Sequence, residues 1–364
     1  MFRGFSWRFF DFSLLGAVII AIIFGVMMIR SAVAGNEEIA PSVNRQIIYA
    51  SIGLAVLFFA AAMDYHYWDA LRLPMYLATM FLLILLFMSA RAVFGAARWF
   101  QIGQIFIQPT ELTKIVVILL LARYFERTQD RRHDLRWVFG SFFWVGTLAI
   151  WILLQPNLSN VIVLIVLWMT LLWLSGLDWK YLVAFALGGM ILAVVSFPFL
   201  RPYQQQRVLN FLFPDPNARH GAVYNVLQAL IAIGSGGLTG KGYGQGTQVQ
   251  LRFLKVRHTD FVFSTVAEEF GLVGVLFILG LLSFIVFRCL HIARHAPDLM
   301  GKLIASGVAT LIFFQGAVNI GVNLNVIPVA GLPLPFISYG GSGLLSLMLG
   351  IGLVESVAIR SRRE

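Results

Sequence analysis

The sequence predicts an all-α polytopic integral membrane protein, and three observations carry that prediction. Of its 364 residues, 59% are hydrophobic and only 12% are charged, a balance foreign to soluble domains. Apolar runs of roughly the length of a membrane span recur along most of the chain. Lys and Arg punctuate those runs, which is how membrane proteins set their orientation. The net charge of +10 is therefore read as topology, and nucleic acid is not expected as a partner. The single cysteine, Cys289, forbids an intrachain disulfide and says nothing about redox compartment.

With about 20 apolar residues per span, about ten spans are expected. They lie near Phe12–Ala34, Gln46–Met63, Leu73–Ala90, Leu112–Phe125 and Val138–Leu154. The later five lie near Val161–Leu174, Tyr181–Leu200, Phe261–Phe287, Leu303–Leu324 and Ile337–Ile359. The fourth and sixth are short, and the stretch around Pro333 and Pro335 reads as partly re-entering the membrane. Ahead of the first run stand Arg3 and Arg8, and Ala32-Val33-Ala34 resembles a signal-peptidase site. That run exceeds the roughly 7–15 residues of a signal sequence, so an uncleaved first span is expected.

Basic residues cluster on one side of a ten-span path. Arg127, Arg131, Arg132 and Arg136 crowd one loop, Arg288, Arg294 and Lys302 another, and Arg360, Arg362 and Arg363 the tail. Both termini are therefore expected in the cytoplasm. The Gln155–Asn160 loop and the Asn325–Phe336 stretch, on the other side, carry no Lys or Arg. One long extracytoplasmic loop, residues 201–260, is expected between spans 7 and 8. No repeat, heptad or appended soluble domain is visible, so residues 1–364 read as a single membrane domain.

Chemistry is expected to be anchored in LRFLKVRHTDFVFSTVAEEFG, Leu251–Gly271. It reads as basic and exposed at Arg252, Lys255 and Arg257, passes through His258, Thr259 and Asp260, and then enters an apolar helix. A carboxylate at a membrane boundary is costly and is by default a functional candidate. Beside cationic groups, Asp260 suits a general base. Glu268 and Glu269, about two turns into the span, read as interhelical hydrogen-bonding acids or, alternatively, as metal ligands. Asn319 and Asn323, one turn apart in the ninth span, read as structural hydrogen-bonders.

Upstream, GSGGLTGKGYGQG (Gly234–Gly246) invites a phosphate-loop reading and fails it. Counting back from Gly240-Lys241, the first anchor position holds Ser235, and Gly242 follows the lysine. The stretch then reads either as backbone that lets a bulky substrate approach closely or as a flexible lid. Arg201, Arg207 and Lys241, with Arg98 earlier in the chain, are candidates for gripping a diphosphate. Each reads equally well as a contact to lipid headgroups. Glu111 and Lys114, three apart at a helix start, share a face. They form either a local ion pair or a device in which Lys114 keeps Asp260 ionised. Trp99 is either an interfacial aromatic or a sugar-stacking platform. His258-Thr259-Asp260 supplies too few ligands to be a metal motif by itself.

Four long segments then resemble one family. They are HTDFVFSTVAEEFG (His258–Gly271), GAARWFQIGQIFIQPTELTK (Gly95–Lys114), YNVLQALIAIGSGGLTGKG (Tyr224–Gly242) and PVAGLPLPFISYGGSG (Pro328–Gly343). In order and across essentially the whole chain, they resemble the SEDS family of shape, elongation, division and sporulation proteins. YQQQRVLNFL (Tyr203–Leu212) is more like its elongation branch than its division branch.

The resemblance implies a ten-span peptidoglycan glycosyltransferase of the bacterial cytoplasmic membrane, working at the outer face. It would polymerise lipid II, with undecaprenyl diphosphate as leaving group. It implies Asp260 as the essential aspartate, Trp99 as a sensitive tryptophan, and Glu111 and Lys114 as a supporting acid and base. It also implies a class B penicillin-binding protein, a transpeptidase, as partner. No cofactor is certain; a divalent cation, Mg or Mn, bridging the diphosphate is an option. A lipid II flippase and a non-catalytic scaffold for a transpeptidase stand as alternatives. Some positions depart from the family pattern: QPNLSN, with Asn157, Ser159 and Asn160, stands where the family commonly has QPDLGT. Thr110 replaces Ser, and Phe270 replaces Leu.

Overall fold

A computed structural model describes residues 9–89, 99–102, 105–131, 135–200, 202–215 and 220–361. The first three helices are α1 (Phe12–Val33), α2 (Pro41–Ala62) and α3 (Tyr65–Ser89). A two-residue-linked antiparallel hairpin follows, β1 (Phe100–Ile102) against β2 (Ile105–Ile107). Then come α4 (Pro109–Arg127), α5 (Leu135–Leu154), α6 (Leu158–Leu174) and α7 (Trp179–Ser196). After α8 (Pro202–Leu212), α9 (Gly221–Gly236) and the single turn α10 (Thr247–Gln250), the chain ends in three long helices. These are α11 (Val262–Arg294), α12 (Leu299–Asn323) and α13 (Gly341–Arg360).

Among the described residues, eight helices are long and apolar enough to cross a membrane: α1, α2, α3, α5, α7, α11, α12 and α13. The fourth and sixth expected spans are also helices, and each falls short for its own reason. α4 carries Glu111, Lys114, Arg123, Glu126 and Arg127, and α6 is 17 residues long. α4 is nonetheless the most enclosed kind of helix, with Ile115 through Ala122 all buried. A helix apolar on every side belongs inside a bundle, and α4 lies against α3, α5, α6, α12 and α13.

α13 shares that central position and packs most extensively on α2. Small residues permit the approach: a Cβ on Gly352 would lie 2.6 Å from the Leu57 carbonyl oxygen. At the far edge, α7 buries no residue at all. Apart from Leu182 and Phe185, which pack on the core, most of its apolar side chains face outward, as lipid would require.

At one end of the bundle, charges tie the elements together. Asp11 caps α1 by accepting from Leu14 N at 3.0 Å, and its own N–H donates to Glu355 at 2.9 Å. Arg288 pairs with the same aspartate. Tyr65 and His66 both reach Asp298, the N-cap of α12, at 2.7 and 2.9 Å. Candidate chemistry lies at the opposite end.

Two connecting stretches carry structure of their own. Within 201–260, α8, α9 and α10 make up about half of the described residues. The apolar spacing of Val226, Ala229 and Ala232 lets α9 bury one face against α11 and α12. The Asn325–Gly340 stretch folds into the protein, with Leu334, Phe336 and Ile337 buried. It packs so closely on α1 that a Cβ at Gly25 would lie 2.7 Å from the Ile337 backbone.

Candidate active site

Asp260 sits in the short turn before α11, and its backbone is fastened from several directions. The three consecutive carbonyls of His258, Thr259 and Asp260 are each taken by a donor from elsewhere in the chain. Tyr339 N donates to His258 O at 2.9 Å, and Ser338 Oγ donates to Thr259 O at 2.6 Å. Asn319 and Asn323, from α12, both donate to Asp260 O at 3.0 Å. The side chain of Asp260 is half-buried, and a Cβ on Gly331 would be 3.9 Å from its Oδ2. Burial holds its carboxyl above the usual carboxylate range, and the Arg207 guanidinium opposes part of that rise. The cation acting on Asp260 is thus Arg207.

His258 packs its ring 5.8 Å from that of Tyr339. Burial, aided by Arg257, pushes its pKa down to about 4. It is therefore a neutral imidazole at physiological pH, and positive charge at the site comes from elsewhere. Arg257, expected to be exposed, is buried. Its Nε donates to Ala32 O at the end of α1, and Nη1 donates to Leu254 O at 3.1 Å. The guanidinium satisfies one carbonyl that the end of α1 leaves open and one in the stretch between α10 and α11.

Glu268 and Glu269 lie where α11 breaks. Gly271 has φ +61° and ψ −154°, so the helix cannot close its bonds there. An unbroken helix would bond Leu272 N to Glu268 O and Val273 N to Glu269 O. The glycine-rich segment replaces both bonds. Lys241 N and Gly242 N donate to Glu268 O and Glu269 O at 3.0 and 2.9 Å. Leu272 N and Val273 N donate to Gly237 O and Leu238 O at 3.0 and 3.2 Å. Such substitution is what an apolar environment demands of a broken helix. The stretch read as a substrate approach or a lid is therefore a fitted plug. Its glycines bring backbone up to α11, and Gly240, at φ +79°, leaves no room for a Cβ beside Glu269 O.

The carboxylates are held in the same joint. Glu268 Oε1 accepts from Lys241 Nζ at 2.8 Å, Thr247 Oγ1 at 3.1 Å and Gln248 N at 2.9 Å. Glu269 accepts from Ser31 Oγ of α1. Lys241, a diphosphate candidate from sequence, is committed to Glu268.

Beside Asp260 opens a cavity of about 370 Å³ between α6, α8, α12 and the 325–340 segment. Its walls are mainly apolar, from Ile162, Val208, Phe314 and Val318, with Asn157, Ser159, Gln204 and Arg207 as polar groups. Arg207 is oriented by donating from Nη1 to Val329 O at 3.2 Å. Ser159 Oγ donates to Ala330 O at 2.6 Å, which joins the start of α6 to the same wall. Asn157 is buried, and its Nδ2 has no hydrogen-bond partner among the described residues.

Lys114 Nζ and Glu111 Oε1 form a buried pair at 2.6 Å. Ser346 Oγ of α13 donates to Glu111 O at 2.6 Å, and a Cβ on Gly343 would be 3.4 Å from Glu111 Oε2. The pair faces α13, so the local ion pair of the two sequence readings is the one visible in the geometry. Trp99 is exposed just before β1. The hairpin it precedes is tied to α13 through Ser342, which accepts from Gln108 N at 2.9 Å and donates to Phe106 O at 3.2 Å. Arg98 and Arg201 lie outside the described residues.

Sequence reasoning did not foresee the roles of Asn319, Asn323, Ser338 and Tyr339 around the His258–Asp260 backbone. Only the one-turn spacing of the two asparagines hinted that they act together.

Three comparisons with known proteins complete the picture. The model of the FtsW, RodA and SpoVE family, described as "Cell cycle protein", matches residues 10–363. The Escherichia coli K12 protein named "Peptidoglycan glycosyltransferase MrdB" is 34% identical over 95% of this chain and 93% of its own length. The "Probable peptidoglycan glycosyltransferase FtsW" of Hydrogenovibrio crunogenus is 34% identical over 97% of this chain and 92% of its own. Among solved structures, the rod shape determining protein RodA of Thermus thermophilus superposes with a TM-score of 0.73 and 31% identity. That match covers 98% of this chain and 99% of that one. A chain from "Structural coordination of polymerization and crosslinking by a peptidoglycan synthase complex" reaches 0.81 at 30% identity, with the same coverage.

Proposed function

The chain belongs to the FtsW, RodA and SpoVE family of cell cycle proteins, and from that membership we infer a peptidoglycan glycosyltransferase of the bacterial inner membrane. The observation that carries the reading is the match at 34% identity, over nearly the whole of both chains, to a protein of that activity. Its substrate is lipid II, the undecaprenyl-diphosphate-linked disaccharide pentapeptide.

Asp260 is the general base. It takes the proton of the 4-hydroxyl of the acceptor N-acetylglucosamine as that oxygen attacks the donor's anomeric carbon. The bond from that carbon to the diphosphate breaks, and undecaprenyl diphosphate leaves with its electron pair. Attack from the opposite face inverts the α-linked donor to a β-1,4 bond. A carboxyl raised by burial is a stronger base than an exposed one, which favours proton removal near neutral pH. Arg207, at the cavity wall and acting on Asp260, stabilises the charge that develops on the diphosphate. The apolar walls of the same cavity suit the first isoprenoid units. Arg98 and Arg201 remain further diphosphate candidates, and Trp99 a sugar-stacking one. Lys114 and Glu111 brace α4 against α13 behind the site.

Among the described residues no three His, Cys, Asp or Glu side chains converge on one point. The described protein groups at the site do not fit a divalent-cation centre of their own. A class B penicillin-binding protein is the partner that would cross-link the product. The similarity to a chain of a polymerising and crosslinking synthase complex supports it. The basic loops support cytoplasmic termini and, with them, a position for Asp260 at the outer face.

Purified protein incubated with lipid II in detergent should lengthen glycan strands, and Asp260→Ala should abolish this while expression is retained. Full polymerisation by Asp260→Ala would overturn the assignment of the base. A wild-type protein that makes no glycan with or without its transpeptidase would overturn the activity.

A further inference from the structure

Asn319 and Asn323 do more than bridge helices, because of which groups they bridge. In an ordinary helix start, Ser264 N would donate to Asp260 O. Here Asn323 stands between them. Its Oδ1 accepts from Ser264 N at 3.1 Å, and its Nδ2 donates to Asp260 O at 3.0 Å. One side-chain amide thus replaces a helical hydrogen bond, and the first intrahelical bond falls to Thr265 N and Phe261 O at 3.3 Å. Asp260 is released from the helix by one residue, and its carboxylate lies against Gly331, whose neighbours Ala330 and Leu332 line the cavity.

Asn319 fixes the released residue in place. Its Nδ2 donates to Asp260 O at 3.0 Å and to Leu332 O at 2.8 Å. One amide thereby holds both the base-bearing turn and the segment that carries Gly331, which faces the Asp260 carboxylate. Both asparagines are buried, at 2% and 0% exposure. Asn323 is itself held by the Asn319 carbonyl at 2.9 Å. Two donors on one carbonyl exceed what satisfying a buried acceptor requires.

We propose that Asn319 and Asn323 are positioning residues that clamp the Asp260 backbone, so that its carboxylate meets the acceptor hydroxyl in reactive geometry. This rests on Asp260 acting as the base. Rigid placement matters because a displacement of about 1 Å at a reacting group costs roughly a hundredfold in rate.

The test uses full-length protein with lipid II in detergent, comparing Asn319→Ala, Asn323→Ala and the double variant with wild type. Turnover should fall about tenfold in each single variant and about a hundredfold in the double, with KM for lipid II within about twofold. Loosening the turn also hydrates the carboxylate, so the acid limb of the rate profile should move to lower pH in the double variant. A merely structural role would reduce the folded fraction and leave the limb in place. Should Asn323→Ala fail to fold, Asn319→Ala still decides, because it leaves the Ser264 bond intact. Wild-type turnover in folded Asn319→Ala, or a loss matching only the loss of folded protein, would overturn the clamp. Absence of polymerisation by the wild type would instead count against the enzymatic reading.

Discussion

Lys241 Nζ lies 2.8 Å from Oε1 of Glu268, a carboxylate whose side chain has no exposed surface. The lysine comes from the glycine-rich plug and the acid from the helix that the plug repairs. Removing the lysine leaves a buried charge without its partner, the costly way to break such a pair. Lys241 is itself partly exposed, which moderates the loss to about 2 kcal/mol. Lys241→Met should therefore lower the thermal midpoint in detergent, and adding Glu268→Gln should restore most of it. KM for lipid II should stay unchanged in the folded fraction. A raised KM with an unchanged midpoint would return Lys241 to the diphosphate site.

The plug also predicts a contrast between two nearby glycines. At Gly240, φ is +79° and a Cβ would fall on Glu269 O, whereas at Gly234 a Cβ meets nothing within 4 Å. Gly240→Ala should cost more than about 2 kcal/mol, through both strain and overpacking. Gly234→Ala, inside α9, should stabilise by up to about 1 kcal/mol. Thermal unfolding of the two variants checks the pair, and equal midpoints would show that the plug is loose.

How legible this was in the sequence depended on which physical signal each feature left. Hydrophobic runs marked the positions of the ten expected helices, because burial in lipid or protein needs apolar side chains whichever neighbour provides it. Asp260 stood out because a carboxylate at such a boundary has a cost. The repair of α11 left no such mark. The sequence showed that Gly236, Gly237, Gly240 and Gly242 could take unusual conformations, but not whether substrate or another backbone would approach them. Arg257 looked exposed because charge usually is, yet the open Ala32 carbonyl at the end of α1 supplies a buried partner. Arg207 could not be told from its basic neighbours, since only the fold brings α8 beside Asp260.

Asp260 links pH to both stability and rate. Its folded pKa is raised by burial, with Arg207 opposing. A carboxyl shifted upward binds its proton more tightly when folded. The stability it contributes is present below the ordinary carboxylate pKa and is lost as pH rises through the raised value. Asp260→Asn, which has no charge to bury, should therefore unfold at a higher temperature than wild type near pH 7.5, with the gap closing in acid. The rate has the opposite sense, because the base works only when ionised. Activity should fall as pH drops through the raised pKa, and Arg207→Gln should move that limb to higher pH. Thermal scans and rate profiles across pH check both, and a limb that stays put in Arg207→Gln would remove the arginine from the site.

Asn157 offers a separate test of where the diphosphate sits. It shares the cavity wall with Arg207, and its Nδ2 lacks a partner among the described residues. An unpaired buried amide donor costs free energy that an anionic ligand can recover. Asn157→Leu keeps roughly the size and removes that donor. KM for lipid II should rise about tenfold, equivalent to ~1.4 kcal/mol. The thermal midpoint should not fall, because the amide nitrogen that is lost has no partner among the described residues to lose in the free protein. An unchanged KM in a folded Asn157→Leu protein would place the diphosphate elsewhere along the Asp260 cleft.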